Sequence, residues 1–376
     1  MEPLGASQVL SYLKKLSLDY DYYLISLEKK NDINNNTQYN KLKAEINVAK
    51  INWFPIVYKS SRVGKLFNFL RFFIRAYQIS KQYQIKFIHS RSYLPTIVAY
   101  VLKKLRGMKY LFDTRGFAFD ERADIGSLNR KGIVFKLLKR LEKRLYINAS
   151  GIVMLSELGK KTILDDQLFK EGNKIKKIKV IPTCTDLNRF VFEKKIYKKP
   201  ITIGYVGTAT GWYDFDKTLK TFKTILEKVN CQLLIYNKGQ YHFIKEKLIQ
   251  HGIDLKKVKI ESVTFAEMPQ KLKEIDIALF FIHPFFSKKA SVATKLGEFF
   301  ATGIPVLTNK DVGDHEYYIE EYQTGKIIDG GETEYNTLIN GLLTMESAQR
   351  CRDLAEMYFS LDKGVKKYKT LYERIL

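Results

Sequence analysis

Residues Ala290 to Asn309 read A-S-V-A-T-K-L-G-E-F-F-A-T-G-I-P-V-L-T-N. Apolar residues recur at helical spacing in the first half and a short apolar run closes the second, so the stretch predicts a helix over 294–301 packed on a buried strand over 304–307. Val292, Leu296, Phe299 and Phe300 form the apolar face of that helix. Ser291, Lys295, Glu298 and Thr302 form a polar face beside it, and Gly297 with Ala301 leaves a bare strip that another backbone can approach. Gly303 stops the helix. A lysine in the first turn opposes the helix dipole unless an anion sits there, and a phosphate supplies one. A carboxylate one turn further in accepts hydrogen bonds from ribose hydroxyls, as acidic residues do in dinucleotide sites. Lys295 and Glu298 together suit a nucleotide diphosphate; an exposed i,i+3 ion pair worth ~0.2–0.5 kcal/mol is the other reading.

The alternation of strand and helix continues on both sides. Strands are expected at 201–206, 231–236, 258–262, 275–281, 304–307 and 326–328, with helices at 216–229, 243–251, 268–272 and 335–343 between them, then 347–358 and 364–376. Upstream, strands at 22–27, 51–58, 87–90, 110–113, 152–155 and 180–182 alternate with helices near 7–16, 66–83, 93–105, 133–147 and 158–164. This is an α/β chain with mostly parallel sheets, and 376 residues suit two domains. A polar, lysine-rich connector at 183–200 separates them, giving domains over 1–190 and 191–355 and a last helical segment over 356–376. A doubly wound sheet places its first strand centrally, ahead of the turn that opens the first helix. Here Pro3-Leu4-Gly5 follows Met1 almost at once. The first strand of the N-terminal domain is therefore expected to be missing, through truncation or a misplaced start.

Lys and Arg number 64 against 40 Asp and Glu, a formal charge of +24. Beyond biased codon usage, the excess points to an anionic partner: nucleic acid, an acidic membrane or phosphorylated ligands. No nucleic acid is expected, because the aromatic residues follow strand and helix periods without a stacking platform or zinc motif. Cys184, Cys231 and Cys351 are far apart and odd in number, which fits a reducing cytoplasm rather than a disulfide framework. Neither a signal peptide nor an apolar run of ~18–20 residues is present, so the expected location is cytoplasmic, soluble or peripheral on the inner face of the plasma membrane. The run K-S-S-R-V-G-K-L-F-N-F-L-R-F-F-I-R-A-Y-Q-I-S-K, residues 59–81, is basic and amphipathic. Such a helix lies on an anionic membrane surface, or packs on the core with a basic outer face.

Gly207-Thr208-Ala209-Thr210-Gly211-Trp212-Tyr213 follows a buried strand and precedes a helix, where backbone amides reach a diphosphate or simply make a tight turn. Asp214-Phe215-Asp216 has D-x-D spacing but stands at a helix start, so a cap and a dipole partner are expected there and no metal. In the first domain His89-Ser90-Arg91 and Asp113-Thr114-Arg115 sit at strand ends, where parallel sheets bind ligands, and Asp120-Glu121-Arg122 follows. Arg115 paired with Asp120 or Glu121 as a loop clasp is the structural alternative, and a satisfied core histidine is the alternative for His89. No nucleophile motif appears. That fits group transfer by leaving-group stabilisation, with no cofactor.

Three of these tracts carry a resemblance. T-K-L-G-E-F-F-A-T-G-I-P-V-L over 294–307 resembles the C-terminal signature of retaining glycosyltransferases of family four, the group 1 class. G-T-A-T-G-W-Y over 207–213 and D-T-R-G-F-A-F-D-E-R over 113–122 resemble tracts of its polysaccharide-building subset. The resemblance implies the GT-B fold, two Rossmann-like domains facing across a cleft, with the last helix crossing back to the first domain. It implies transfer of a sugar, with retention and without a metal, from a nucleotide-sugar donor to a saccharide acceptor, lipid-linked in surface polysaccharide or glycolipid synthesis. The implied donor residues are Gly207, Thr208, Ser291, Thr294, Lys295 and Glu298. The implied catalytic residues are Arg115, Asp120, Glu121 and Lys295, with His89, Arg91 and Arg115 on the acceptor side. The family's earlier glutamate is Ala290 here, and the arginine and lysine usual after the second domain's first strand are replaced by Thr208 and its neighbours. A nucleotide-sugar epimerase of the same fold and a basic nucleic-acid-binding protein are the rival functions.

Overall fold

The structure, a computed structural model, describes residues 5–166, 178–330 and 333–376; the Pro3-Leu4 turn expected at the start lies outside them. Two units result. One comprises Met1–Leu155, Lys160–Ile181 and Leu361–Leu376, the other Ser156–Gly159 and Pro182–Ser360. The chain passes between them at Ile181 and Pro182, earlier than the lysine-rich connector suggested, and the last helix counts with the first unit.

In the first unit β1 (Tyr22–Lys29) pairs in parallel with β2 (Ile51–Tyr58), Tyr22 opposite Ile51. A second parallel sheet runs β3 (Phe87–Arg91), β4 (Lys109–Asp113), β5 (Gly151–Met154), β6 (Ile178–Val180) in that order. A π-helical turn, Ala6–Leu10, leads into α1 (Ser11–Leu16). The Asn-rich stretch after β1, given no helix by its pattern, forms α2 (Asn36–Val48), because Ile46 is buried against Leu10, Leu13 and Ile51. Tertiary burial overrides weak local propensity there. Next comes α3 (Arg62–Gln82), whose N-cap Ser61 accepts from the Gly64 amide at 3.0 Å and starts the helix ahead of its apolar pattern. Then follow α4 (Tyr93–Arg106), α5 (Ala118–Asp124) and α6 (Ile133–Asn148), with α4 packed against both α3 and α6.

The second unit has one six-stranded parallel sheet. Its strands are β7 (Ile201–Val206), β8 (Cys231–Tyr236), β9 (Val258–Glu261), β10 (Ile277–Leu279), β11 (Val306–Thr308) and β12 (Gly325–Ile327). Across the sheet the order is β12-β11-β10-β7-β8-β9. All six positions of β7 are buried, as a central parallel strand covered on both faces requires. Strand order reverses between β7 and β10, and such a switch point opens a crevice at the carboxyl ends. Asp214 caps α7 (Phe215–Lys228) by accepting from the Lys217 amide at 2.9 Å.

The stretch quoted first forms α8 (Thr294–Ala301) and then β11. The strand starts later than expected because the Ile304 amide donates to Phe299 O at 2.9 Å and Pro305 has no amide to give, so the ladder opens at Val306. The bare strip on α8 is occupied: a Cβ on Gly297 would stand 2.7 Å from Thr185 Oγ1 and 3.0 Å from Phe359 Cδ1. The last helix, α9 (Leu361–Ile375), sets Tyr368 and Tyr372 against the first unit's own residues.

Candidate active site

The sequence-derived residues form two groups, one in each unit. In the second unit the Gly207 loop stands at the switch point. Gly207 has φ +136°, a conformation that L side chains rarely adopt, and an added Cβ would meet the Tyr213 ring at 3.7 Å. The loop is braced from β8. Asn237 Nδ2 donates to Gly207 O at 2.8 Å, and Gln240 Oε1 accepts from the Ala209 amide at 2.9 Å. Tyr205 Oη donates to Thr208 O at 2.5 Å. Beyond it, residues 212–214 run antiparallel to the end of β10: the His283 amide donates to Trp212 O and the Asp214 amide to Phe281 O, both at 2.9 Å. Asn309, which closes the opening stretch, clamps Ile282 from the other side, accepting from its amide and donating to its carbonyl at 2.9 Å each.

Helix α8 delivers Lys295 and Glu298. Lys295 Nζ lies 2.8 Å from Glu298 Oε2, with the carboxylate side chain 6% exposed and the lysine 23%. This is the i,i+3 pair of the simpler reading, but its burial removes it from the class of weak surface pairs. Tyr213 joins helix and loop: burial, then the neighbouring Glu298 charge, pushes its phenol up to about 12. Gly207, Tyr213, Glu298 and Lys295 are therefore one cluster at the carboxyl edge of the sheet. Beside it the buried Lys288 holds its ammonium 3.4 Å from the centre of the Trp212 ring. Ser291 and Thr294 flank the start of α8, the Ser291 amide donating to Lys288 O at 3.0 Å.

His315 supports the start of α8 from below. It is fully buried, and its Nε2 accepts from the Ala293 amide at 3.5 Å. Burial pushes its imidazole down to about 4. The folded value lies below the unfolded ~6.5, so the unfolded chain takes the proton first. The second unit should accordingly hold full stability above pH 6.5 and lose about 3 kcal/mol as pH falls to 4. His315→Gln, which keeps an acceptor, should flatten that slope in denaturant titrations at pH 7, 5.5 and 4.5; an unchanged slope would assign the loss to other groups.

Asp214 and Asp216 part company. Asp214 caps α7, while Asp216 accepts from Lys247 at 2.9 Å and His251 at 2.8 Å, and these hydrogen bonds hold its carboxyl below the usual range. Both carboxylates thus serve the helix start and its neighbours, which is the cap reading of D-x-D.

In the first unit β3 and β4 bring His89, Arg91, Asp113 and Arg115 together. Asp113 is buried, 3.2 Å from Arg91 Nη1, 3.9 Å from Arg115 Nη1 and 3.7 Å from His89 Nε2, and Tyr368 Oη donates to it at 3.1 Å. Burial alone would raise its carboxyl, but Arg115, His89 and Arg91 together hold it well below the ordinary range. Arg115 adopts a left-handed backbone, φ +59°, which costs a side-chain-bearing residue ~1–3 kcal/mol. Gln8 Oε1 accepts from Arg91 Nη2 at 2.6 Å and from Arg115 Nη2 at 3.2 Å. Asp113 and Gln8 organise the two arginines.

Asp120 belongs elsewhere. Its carboxylate receives Arg130 Nη1 at 2.8 Å on one oxygen and Lys139 Nζ at 2.9 Å on the other, and Lys139 also pairs with buried Glu142. A carboxylate buried and paired on both oxygens pins α5 to α6, apart from the group around Asp113. Of the clasp expected between Arg115 and Asp120 or Glu121, Asp120 pairs instead with Arg130 and Lys139, while Arg115 lies 3.9 Å from Asp113. Glu121 lies partly buried on the same short helix. Asn237, Gln240, Lys288 and His315 were not singled out from sequence. Each is a lone polar residue outside any motif, and only the fold brings it to the site.

Comparison with known proteins gives a family match over part of the chain and a fold over most of it. Residues 187–357 match the family described as Glycosyl transferases group 1. Over those residues, all within the second unit, the chain is similar to the group 1 glycosyltransferases. Sequence comparison with the curated proteins finds no match. Among solved structures, Anabaena HepE in complex with UDP-glucose is similar with a TM-score of 0.64 at 13% identity, over 93% of this chain and 99% of that one. A glycosyltransferase from Rickettsia africae gives 0.63 at 16%, over 94% and 98%. Sucrose-phosphate synthase from Thermosynechococcus elongatus gives 0.62 at 16%, over 85% and 83%. These likenesses place the chain in the GT-B fold with two Rossmann-like domains. The short apolar runs that build its three sheets are what the fold needs; the site residues lie near the carboxyl ends of β3, β4 and β7.

Proposed function

We propose that this chain is a group 1 glycosyltransferase that moves a sugar from a nucleotide-sugar donor, a UDP-sugar in the first instance, to a saccharide acceptor, with retention and without a metal ion. The observation that carries the donor reading is the cluster of Gly207, Tyr213, Lys295 and Glu298 at the switch point of the second unit's sheet. Backbone amides after Gly207 and the Lys295 ammonium hold the diphosphate, and Glu298 accepts from the ribose hydroxyls. As the sugar leaves, charge grows on the diphosphate, and these oriented donors lower the barrier. Arg91, Arg115 and His89 serve the acceptor side, with the arginines set in place by Asp113 and Gln8. The support from HepE is its structure with UDP-glucose, a donor of this class. The test is release of nucleotide diphosphate from UDP-glucose and its analogues. Release that depends on added saccharide and survives EDTA agrees with the reading. Donor turnover without an acceptor would indicate an epimerase instead, and loss of rate in EDTA would contradict metal independence.

We further assign the acceptor to a lipid-linked saccharide at an anionic membrane. On α3 the residues Phe67, Leu70, Ile74 and Tyr77 are exposed, Phe67 at 53%, among exposed Arg71, Arg75 and Lys81. On α6 Ile133, Val134 and Leu137 are exposed, Ile133 at 76%, with Lys136 and Arg140 beside them. The outward faces thus carry apolar as well as basic residues, which a helix merely covering the core does not need. Among the described residues no helix is long and apolar enough to cross a membrane. Co-sedimentation should show binding to vesicles rich in phosphatidylglycerol that weakens with salt and falls roughly tenfold in Phe67→Asp combined with Ile133→Asp. Equal binding of the double variant would remove this surface from the account.

A further inference from the structure

The donor cluster of the second unit is short of positive charge. A nucleoside diphosphate carries negative charge on both phosphoryl groups, and more gathers on the leaving oxygen as the sugar departs. Lys295 is already bound to Glu298 at 2.8 Å, so that pair brings no net charge to the crevice. The loop G-T-A-T-G-W-Y over 207–213 contains neither lysine nor arginine, and Gln240 occupies one of its amides, that of Ala209. A second cation stands at this loop. Lys288 lies on the short turn Phe286–Ala290 that leads into α8, and only 4% of it is exposed. Lysine is almost never so buried without a compensating contact, and here the ammonium stands 3.4 Å from the centre of the Trp212 ring, on the Gly207 loop itself. The backbone of Lys288 is fixed. Its amide donates to Phe285 O at 2.9 Å, and its carbonyl accepts from the Ser291 and Gly313 amides at 3.0 and 2.9 Å. Gly313 has φ +50°, and a Cβ there would stand 1.9 Å from Ser291 O, so the last of these bonds calls for glycine. A fixed anchor with a flexible four-carbon stem beyond it lets the ammonium move while the loop stays in place.

We propose that Lys288 is a catalytic cation of the donor site, its ammonium passing from the Trp212 ring to the diphosphate when a nucleotide-sugar binds. The inference rests on the donor reading above and adds the residue that supplies its net charge. A ring face holds an ammonium through its quadrupole alone, whereas a phosphate oxygen offers a full charge and a hydrogen bond, so an entering diphosphate draws the lysine off the ring. In the transfer step the bond between the sugar carbon and the diphosphate oxygen breaks, and its electron pair stays on that oxygen. The acceptor hydroxyl forms the new bond to the same carbon, and its proton passes to the departing diphosphate. Lys288 gives up no proton; its ammonium stabilises the oxygen that gains the charge.

Trp212 reports on this directly. The chain has two tryptophans, so Trp53→Phe leaves Trp212 as the only indole. In that parent, emission is titrated with UDP, GDP and ADP and with uridine, guanosine and adenosine. The inference predicts that the diphosphate that binds shifts Trp212 emission and that its nucleoside does not. Lys288→Met should abolish the shift, weaken that diphosphate roughly tenfold to a hundredfold and lower kcat for transfer by at least as much, while nucleoside affinity stays within about twofold. Lys288→Arg keeps the charge and should restore most of the affinity. Equal affinity for the diphosphate in Lys288→Met and the parent overturns the inference and leaves the donor reading standing. Diphosphate binding with no change in Trp212 emission does the same. Joint loss of nucleoside and diphosphate binding in Lys288→Met, unrelieved by arginine, would show a merely structural role and also overturns it. Should none of the three diphosphates raise the parent's unfolding midpoint, the donor reading fails and this inference with it.

Discussion

Glu298→Ala should lower kcat/KM for sugar transfer by roughly a hundredfold to ten-thousandfold. The carboxylate is 6% exposed and paired with Lys295 at 2.8 Å, so it is held in one place rather than sampling solvent. A hydrogen bond to a charged group contributes ~1.5–3 kcal/mol, and two ribose hydroxyls would lose theirs together. At ~1.4 kcal/mol for each factor of ten, the loss falls in the stated range. The truncation also frees Lys295 from its partner, so a folding control is needed. Tyr213 provides one: its phenol stands at about 12 through burial and then Glu298, and it should titrate at lower pH once that charge is gone while remaining buried. A variant with the shifted Tyr213 and unchanged transfer would remove Glu298 from the donor site.

The second large effect is on stability. Asp113→Asn should destabilise the first unit by about 3–5 kcal/mol, the cost of leaving buried charges without their partner. Arg91 and Arg115 would then face each other across a neutral amide, and Arg91 is already held down by burial and by Arg115, against the pull of Asp113. At ~2–4 °C per kcal/mol the first unit's midpoint should fall by at least ~6 °C. The pH dependence has a definite sign. The folded carboxyl titrates below its unfolded value of ~3.9, so its contribution is present above that pH and is lost as pH falls through the lower folded value. Wild type and Asp113→Asn should therefore differ most near neutrality and converge in strong acid, measured by thermal unfolding across the range. A constant gap at every pH would mean that packing, not charge, makes the difference.

Much of this was legible in the sequence because the responsible signals are local. The buried strands β7 and β8 and the helix α8 fall on their expected residues, since each is an uninterrupted apolar run or a full helical period bounded by a turn. The Lys295 and Glu298 pair was readable for the same reason: their spacing alone puts them on one face. What was not legible depends on contacts between distant segments. Helix α2 forms from a polar stretch because Ile46 finds Leu10 and Ile51. Asp120 is drawn into α6 by Arg130 and Lys139, whereas proximity in sequence suggested Arg115. Asn237, Gln240 and His315 lie far along the chain from the residues they steady.

The most direct measurement is thermal unfolding of the protein with saturating UDP, GDP, ADP, dTDP and CMP, beside Glu298→Ala. Binding at a hundredfold above the dissociation constant adds ~2.7 kcal/mol, which moves the midpoint by several degrees. The account predicts a rise with one nucleotide diphosphate, UDP first among them, and its loss in Glu298→Ala. An unchanged midpoint with all five, in a protein shown to be folded, would contradict the donor site at Gly207, Lys295 and Glu298.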